Sequence, residues 1–436
     1  MGDTERSCSL FFSNPRVPMP DSLDFRTPEF EAALAALPST PTANLAADDT
    51  YWHAVRRLWR HSDALINLEN GFWGAMTEPV KAMFHHWTER VNHETTLFIR
   101  PHLMPLYQGL RERLASAMGC AVEEIELTRN ATEALLALIS GYNRLAPGDT
   151  VLYSDLDYPC GKDAMEWLRE RRGVTPVRIV IPEPATREAV LDTYAKALRE
   201  HPRARLVLLS HVCFATGLVL PVSEISAMAR DAGADVIVDA AHSWGQLDFD
   251  VPDLNAPFAA LNLHKWIGAP LGCGAIYIQR GHVASIDPYF GDRSWPADDI
   301  RARVHTGSPN FAAWFTLPAA LDVHLRIGAK AKEARLRALR DAWAEPARAL
   351  PGVQIMTPAD ASMTAGITAF RLNGRATKAA CDAIVAALRD RFGVFTVTRP
   401  GPDAGEVVRV TPALFSTMAD AARLLEGIET LARESN

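Results

Sequence analysis

From residue 67 to about residue 320 the chain alternates short apolar or β-branched runs with longer segments of helical spacing. The runs 150–153, 177–181, 206–209, 236–238 and 275–278 predict buried strands, and 185–201 and 222–232 predict helices between them. Strands that are apolar throughout belong to a sheet covered on both faces, and the strand, helix, strand order makes that sheet mostly parallel. After Pro318 the pattern changes to a charged, Ala-rich and Arg-rich helix over 330–350. A strand over 366–372, a helix over 377–391, a strand over 407–410 and a closing helix from Met418 follow. Before residue 67 the chain is rich in Pro, Ser, Asp and Thr, then turns helical from Trp52 to Trp59. The expected division is an N-terminal arm and helix over 1–66, a large α/β domain with a mostly parallel sheet over 67–320, and a small C-terminal α+β domain over 321–436.

Composition narrows the function classes. The 436 residues are 48% hydrophobic, enough for a large core, and carry a net charge of −7 without a basic cluster. No nucleic-acid partner is expected, and a small molecule fits better. The six cysteines (Cys8, Cys120, Cys160, Cys213, Cys273 and Cys381) contain no C-x-x-C pair, which argues against a disulfide framework or a zinc site and for a reducing cytoplasm. No metal is expected. The N-terminus has no export pattern, Arg6 breaks the myristoylation pattern, and no stretch reaches bilayer-spanning length.

Against this background one residue stands out. Of seven lysines, Lys265 alone sits in an apolar, glycine-rich run, Leu261-Asn262-Leu263-His264-Lys265-Trp266-Ile267-Gly268. The other six (Lys81, Lys162, Lys196, Lys330, Lys332 and Lys378) fall in polar or helix-patterned stretches, where solvated amines are expected. An amine among apolar side chains loses hydration, its pKa falls, and the neutral form can condense with an aldehyde to a Schiff base. Upstream, Asp239 closes the apolar run Val236-Ile237-Val238. An acid at a strand end and a lysine on a later loop suggest pyridoxal phosphate.

Ligands of open parallel sheets gather at the carboxyl ends of the strands. Two further segments there carry chemistry. In Leu127-Thr128-Arg129-Asn130-Ala131-Thr132 a strand end turns into a helix, where free backbone N–H groups can hold a phosphate, although a plain helix cap reads the same way. In Asp239-Ala240-Ala241-His242 the carboxylate can keep a pyridine nitrogen protonated, making the ring an electron sink. Alone, Asp239 also reads as a cap and His242 as an ordinary core histidine.

Taken together and in this order, Asp239, His242 and Lys265 make the chain resemble a fold-type-I pyridoxal phosphate enzyme of the aminotransferase class V family, in its isopenicillin N epimerase-like branch. The resemblance runs from about Asn67 to the C-terminus and implies that the large domain's mostly parallel sheet is of the seven-stranded type. It implies that Lys265 is the Schiff-base lysine and Asp239 the partner of the pyridine nitrogen. It implies a phosphate site at Ala131 and Thr132 with His264 nearby, Tyr158 stacked on the ring, and His242 near the ring's phenolic oxygen. His305-Thr306-Gly307-Ser308-Pro309-Asn310 resembles a stretch that binds phosphate in the neighbouring subunit's site, which implies a homodimer; Ser308 stands where threonine is expected. Arg409, within the strand Val407-Val408-Arg409-Val410, matches the arginine that grips a substrate carboxylate. Asn67 to Gly74 resembles a loop lying over the substrate, with Asn70 near the carboxylate and Phe72 and Trp73 either walling the pocket or packing in the core. His211 is expected near cofactor or substrate, and Ala215 stands where relatives carry arginine.

The resemblance leaves the reaction open. An amino acid attached to the cofactor and deprotonated by Lys265 can lose a β-substituent, pass on its amino group or be reprotonated on the other face. Carbon-sulfur β-elimination and transamination or deamination lead, with epimerisation as the alternative, on a non-standard or S-substituted amino acid of specialised metabolism. Cysteine desulfurase chemistry is disfavoured, because the one late cysteine, Cys381, falls within a helical pattern. A non-catalytic sensor of the same fold is a remote reading, since the first sixty residues show no helix-turn-helix pattern. A hydrolase is a poorer one, since no G-x-S-x-G follows a predicted strand.

Overall fold

The computed structural model describes residues 25–41 and 46–434; the early part of the expected arm, with Cys8, lies outside them. A two-residue strand, β1 (Ile66–Asn67), precedes seven strands that form one sheet: β2 (Ile125–Thr128), β3 (Thr150–Ser154), β4 (Thr175–Ile179), β5 (Ala204–Ser210), β6 (Asp235–Asp239), β7 (Phe258–Asn262) and β8 (Gly274–Ile278). Their order is β2-β8-β7-β6-β5-β3-β4, and only β8 runs antiparallel to its neighbours. The apolar runs form strands because both sheet faces are covered. Leu206, Leu208 and Ile237 pack into one apolar cluster, while Val207, Leu209, Val236 and Val238 pack into the other.

The smaller unit is built on β9 (Val353–Ile355), β10 (Thr368–Leu372), β11 (Val394–Phe395), β12 (Val397–Arg399) and β13 (Val407–Val410). Four of these form an antiparallel sheet in the order β12-β13-β10-β9, and β11 pairs in parallel with β1. Helices Ala329–Arg348, Lys378–Phe392 and Met418–Glu434 contribute to its core around Trp343, Phe370 and Leu424.

The predicted elements recur within a few residues, and two boundaries differ. Residue 320, the expected end of the large domain, falls inside the helix Phe311–Ile327, whose buried face packs into the large core. Gly328, at φ +89°, separates that helix from Ala329–Arg348. At the other end, Leu68 joins the small unit's core, and its carbonyl accepts from Thr411 N–H at 2.7 Å. The chain therefore passes through the small unit before it builds the large one. The strand Phe258–Asn262 is absent from the expected elements because its sequence, Phe-Ala-Ala-Leu-Asn, has no β-branched residue; burial on both faces makes it a strand.

Candidate active site

Strands β3, β5, β6 and β7 end in Ser154, Ser210, Asp239 and Asn262, and the last three line a cavity of about 360 Å³. Asp157 fastens this edge. One carboxylate oxygen accepts from the backbone N–H and hydroxyl of Ser210, both at 2.8 Å, and the other from Ser154 N–H at 2.6 Å. Burial raises its pKa to about 6. That clamp ties β3 to β5 and sets the next residue, Tyr158, on the cavity wall with its ring edge-on to Phe214 at 5.1 Å.

Lys265 reaches the cavity on the loop after β7. Three successive carbonyls of this loop are held: His264 O by Gly74 N–H at 2.8 Å, Lys265 O by Gly268 N–H at 3.2 Å, and Trp266 O by the Lys332 amine at 2.6 Å. Gly74 is required, since a Cβ there would lie 1.8 Å from the Lys265 carbonyl oxygen. The Lys265 amine sits 2.9 Å from His242 Nε2. Burial lowers its pKa to about 8, opposed by Asp239 and assisted by Arg409. His242 is held well below its usual value by burial and then by Lys265, so the neutral ring accepts from the amine. Asp239 accepts from Ala241 N–H at 2.9 Å; burial raises its pKa, and that hydrogen bond and Lys265 oppose the rise.

On the same cavity the helix Ala131–Gly141 begins, capped by Asn130, whose side chain accepts from Glu133 N–H. Thr132 is on the cavity wall, and the first turn of a helix presents N–H groups with positive partial charge. The Ala131 N–H is taken by Asn262 Oδ1 at 2.8 Å, which leaves the Asn262 amide nitrogen as a donor. His264 also lines the cavity; its Nδ1 donates to the Cys273 carbonyl at 2.9 Å, and burial pushes the ring to about 4. The cavity wall thus combines a helix N-terminus, a hydroxyl, an amide and an imidazole with a depressed amine and a carboxylate. A phosphorylated aldehyde with a basic ring nitrogen fits this donor set.

Lys265, Asp239, His242, His264, Ala131, Thr132 and Tyr158 are therefore brought together as expected. Four other expectations meet a different geometry. His211 faces away: Ser210 and Val212 line the cavity, while the His211 ring packs edge-on to Phe249 at 5.0 Å, because successive residues of an extended chain point to opposite sides. The Asn70 amide is spent on backbone, donating to the carbonyls of Asn67 and Thr411 at 3.0 Å each. Arg409 is only 2% exposed, does not line the cavity, and already grips a carboxylate: its Nη2 donates to both oxygens of Glu69 at 2.6 and 2.8 Å, and Nη1 to the Phe214 carbonyl at 2.7 Å. Arg399 donates to the same Glu69 at 3.0 Å. Thr306, Gly307 and Ser308 lie on a largely exposed loop and do not line this chain's cavity. Phe72 and Trp73 are wall rather than core, 68% and 48% exposed at the cavity's edge.

Asn262, Glu69 and Phe214 went unread in the sequence, and Lys332 was read as a solvated amine. Asn262 ends the unpredicted β7, and Glu69 finds its arginines more than 300 residues away. Lys332 did carry a signal: it shares an apolar stripe with Leu336, Leu339 and Trp343 at helical spacing. It is 3% exposed, against the expectation of a solvated amine.

A family model described as Aminotransferase class-V matches residues 78–415. The chain belongs to the aminotransferase class-V family. It is 28% identical over 404 residues to the isopenicillin N epimerase of Amycolatopsis lactamdurans, covering 88% of this chain and 99% of that protein. It is 30% identical over 275 residues to a putative L-cysteine desulfhydrase 2 of Oryza sativa subsp. japonica, covering 60% of this chain and 56% of that one. The cysteine desulfurase CsdA of Escherichia coli has the same fold, with a TM-score of 0.73, 20% identity, and coverage of 88% and 98%. The protein is a fold-type-I, pyridoxal phosphate-dependent class-V enzyme. Among the described residues no helix is long and apolar enough to cross a membrane.

Proposed function

We propose that the enzyme acts at the α-carbon of an amino acid, non-standard or S-substituted, by carbon-sulfur β-elimination or by transamination or deamination. The observation that carries this reading is the Lys265 amine, lowered to about 8 and 2.9 Å from a neutral histidine, at the wall of a cavity with a carboxylate and a helix N-terminus. Pyridoxal phosphate, when bound, supplies an aldehyde for the amine and a ring that draws electrons from the α-carbon. Lys265 would hold it and afterwards take the α-proton on its amine. About a tenth of such an amine is neutral near pH 7, against a few in ten thousand of an ordinary lysine. Asp239 would keep the ring nitrogen protonated. Thr132, Asn262 and His264 would hold the phosphate, and Tyr158 would cover the ring.

Among the described residues no cysteine is set up as a nucleophile. Cys381 is buried in the helix Lys378–Phe392, and Cys160, on the cavity wall, is kept protonated by burial. Epimerisation is the second reading, supported by the near full-length likeness to an isopenicillin N epimerase. We also assign a homodimer in the cytoplasm, in which Thr306, Gly307 and Ser308 complete the partner's phosphate site. The apolar rim of the cavity, with Phe72 and with Leu271 60% exposed, supports that assignment.

The test incubates the cofactor-loaded protein with a panel of amino acids that includes S-substituted cysteines. Pyruvate with ammonia and a thiol marks elimination, a keto acid marks transamination or deamination, and a D-product marks epimerisation. No turnover, with DNA retardation at low salt, would replace the enzyme reading by a sensor.

A further inference from the structure

Lys265 borders a second, smaller cavity of about 50 Å³, lined also by Gly74, Trp266, His324 and Lys332. Lys332 stands on the helix Ala329–Arg348, with its amine 2.6 Å from the Trp266 carbonyl and 3.0 Å from His324 Nδ1. Among the described residues no carboxylate offsets its burial, which pushes its pKa down to about 7. A buried amine without an acid costs stability, and the stripe it occupies is otherwise filled by Leu336, Leu339 and Trp343. An apolar side chain suits that stripe better, so the reason for a lysine lies in what its amine touches.

What it touches is the carbonyl of the residue directly after Lys265. The two preceding carbonyls are held by backbone N–H groups, so the Trp266 carbonyl is the one of the three that depends on a side chain. We propose that Lys332 is a positioning residue for the reactive amine, pinning the backbone beside Lys265 to the helix Ala329–Arg348. The inference rests on the reading of Lys265 as that amine. The helix spans both cores: Ala331 and Leu336 belong to the large unit's cluster, Trp343, Ala344 and Ala347 to the small unit's. Through Lys332 the small unit's first helix sets where the Lys265 amine points and how much water reaches it.

The test compares the wild type with Lys332→Met and Lys332→Gln. Site-resolved reductive methylation of the cofactor-free protein, read by peptide mass spectrometry across pH, gives the titration midpoint of Lys265. In Lys332→Met the loosened loop admits water, and the midpoint rises from about 8 by roughly one unit or more. In the loaded enzyme kcat falls on the order of 10- to 100-fold, while KM changes by less than about threefold. Lys332→Gln, which retains an N–H donor for the Trp266 carbonyl, restores most of both. A folded Lys332→Met protein with the wild-type midpoint overturns the proposal, because a purely structural role lowers stability and leaves Lys265 as it was. If Lys332→Met does not fold, Lys332→Leu, which also fills the apolar stripe and offers the Trp266 carbonyl no donor, is read by the same midpoint, with the same outcome deciding. Failure of the wild type to form a borohydride-trapped cofactor adduct instead sinks the functional reading, and the midpoint comparison on the cofactor-free protein is unaffected by it.

Discussion

Two lysines of this enzyme, the half-buried Lys265 and the buried Lys332, each lie beside a histidine, at 2.9 Å from His242 and 3.0 Å from His324, and burial lowers both amines, to about 8 and about 7. Their surroundings then diverge. Lys265 opens on a cavity of about 360 Å³ and feels Asp239, Arg409, Glu69 and Arg399, whereas Lys332 is fixed on a carbonyl beside a cavity of about 50 Å³. Burial frees an amine from its proton in both places. Reaction needs more: room for an aldehyde, an anion cradle on the same cavity, and an acid for the ring that the aldehyde brings.

The largest effect breaks the symmetry outright. Lys265→Ala removes the visible band of the bound cofactor that borohydride otherwise traps, and Lys332→Met retains it, despite the lower pKa of the amine lost. A band surviving in Lys265→Ala, or vanishing in a folded Lys332→Met, would exchange the roles. Next is Asp239→Ala, which removes the acid that Lys332 lacks. It leaves the phosphate-holding groups in place, so the cofactor still binds, and activity drops by about 10²- to 10⁴-fold. Full activity in that variant contradicts the role given to the carboxylate.

Stability against pH puts both lysines on one scale. Their folded pKa values lie below the ordinary value of 10.5, so between about 7 and that value the unfolded chain holds protons that the folded chain has released. Stability of the cofactor-free protein therefore rises with pH through this window. For Lys265 the rise runs from about 8 upward and is on the order of 3 kcal/mol; for Lys332 it begins lower and is larger. Urea unfolding at about pH 7 and about pH 10 measures it. Lys265→Met and Lys332→Met each flatten the rise by their own share, and an unchanged rise in either shows that lysine to be hydrated in the folded state.

The two lysines also show how far the sequence carries. Lys265 was legible because its apolar run is contiguous, as were the strand ends bearing Asp239 and Thr132, where periodicity and function fall on one stretch of chain. Lys332 was not, because a helix shows its buried face only every third or fourth residue, and Lys330, Glu333, Arg335 and Arg337 hide the stripe in charge. β7 was lost to an Ala-rich composition that only tertiary burial overrides. Pairings such as Glu69 with Arg399 and Arg409 belong to the fold, which brings β1, β12 and β13 together, and nothing local announces them.

That ion-pair cluster yields the finest test of the contrast. Glu69 raises the pKa of Lys265 while Arg409 and Arg399 lower it, and none of the three acts on Lys332. In Glu69→Gln the two guanidinium groups lose their carboxylate, so the Lys265 midpoint falls below its wild-type value by a fraction of a unit and that of Lys332 stays where it was. The same substitution frees the Arg409 fork, whose Nη2 otherwise donates to both Glu69 oxygens. An amino acid with a free carboxylate then binds the loaded enzyme a few-fold more tightly, by roughly 1 kcal/mol, while the corresponding amine without a carboxylate binds as before. Spectroscopic titration with both ligands reads the difference. Equal changes for the two, or none, would mean that the substrate's carboxylate is bound elsewhere, leaving Arg409 with the supporting kind of role that Lys332 has.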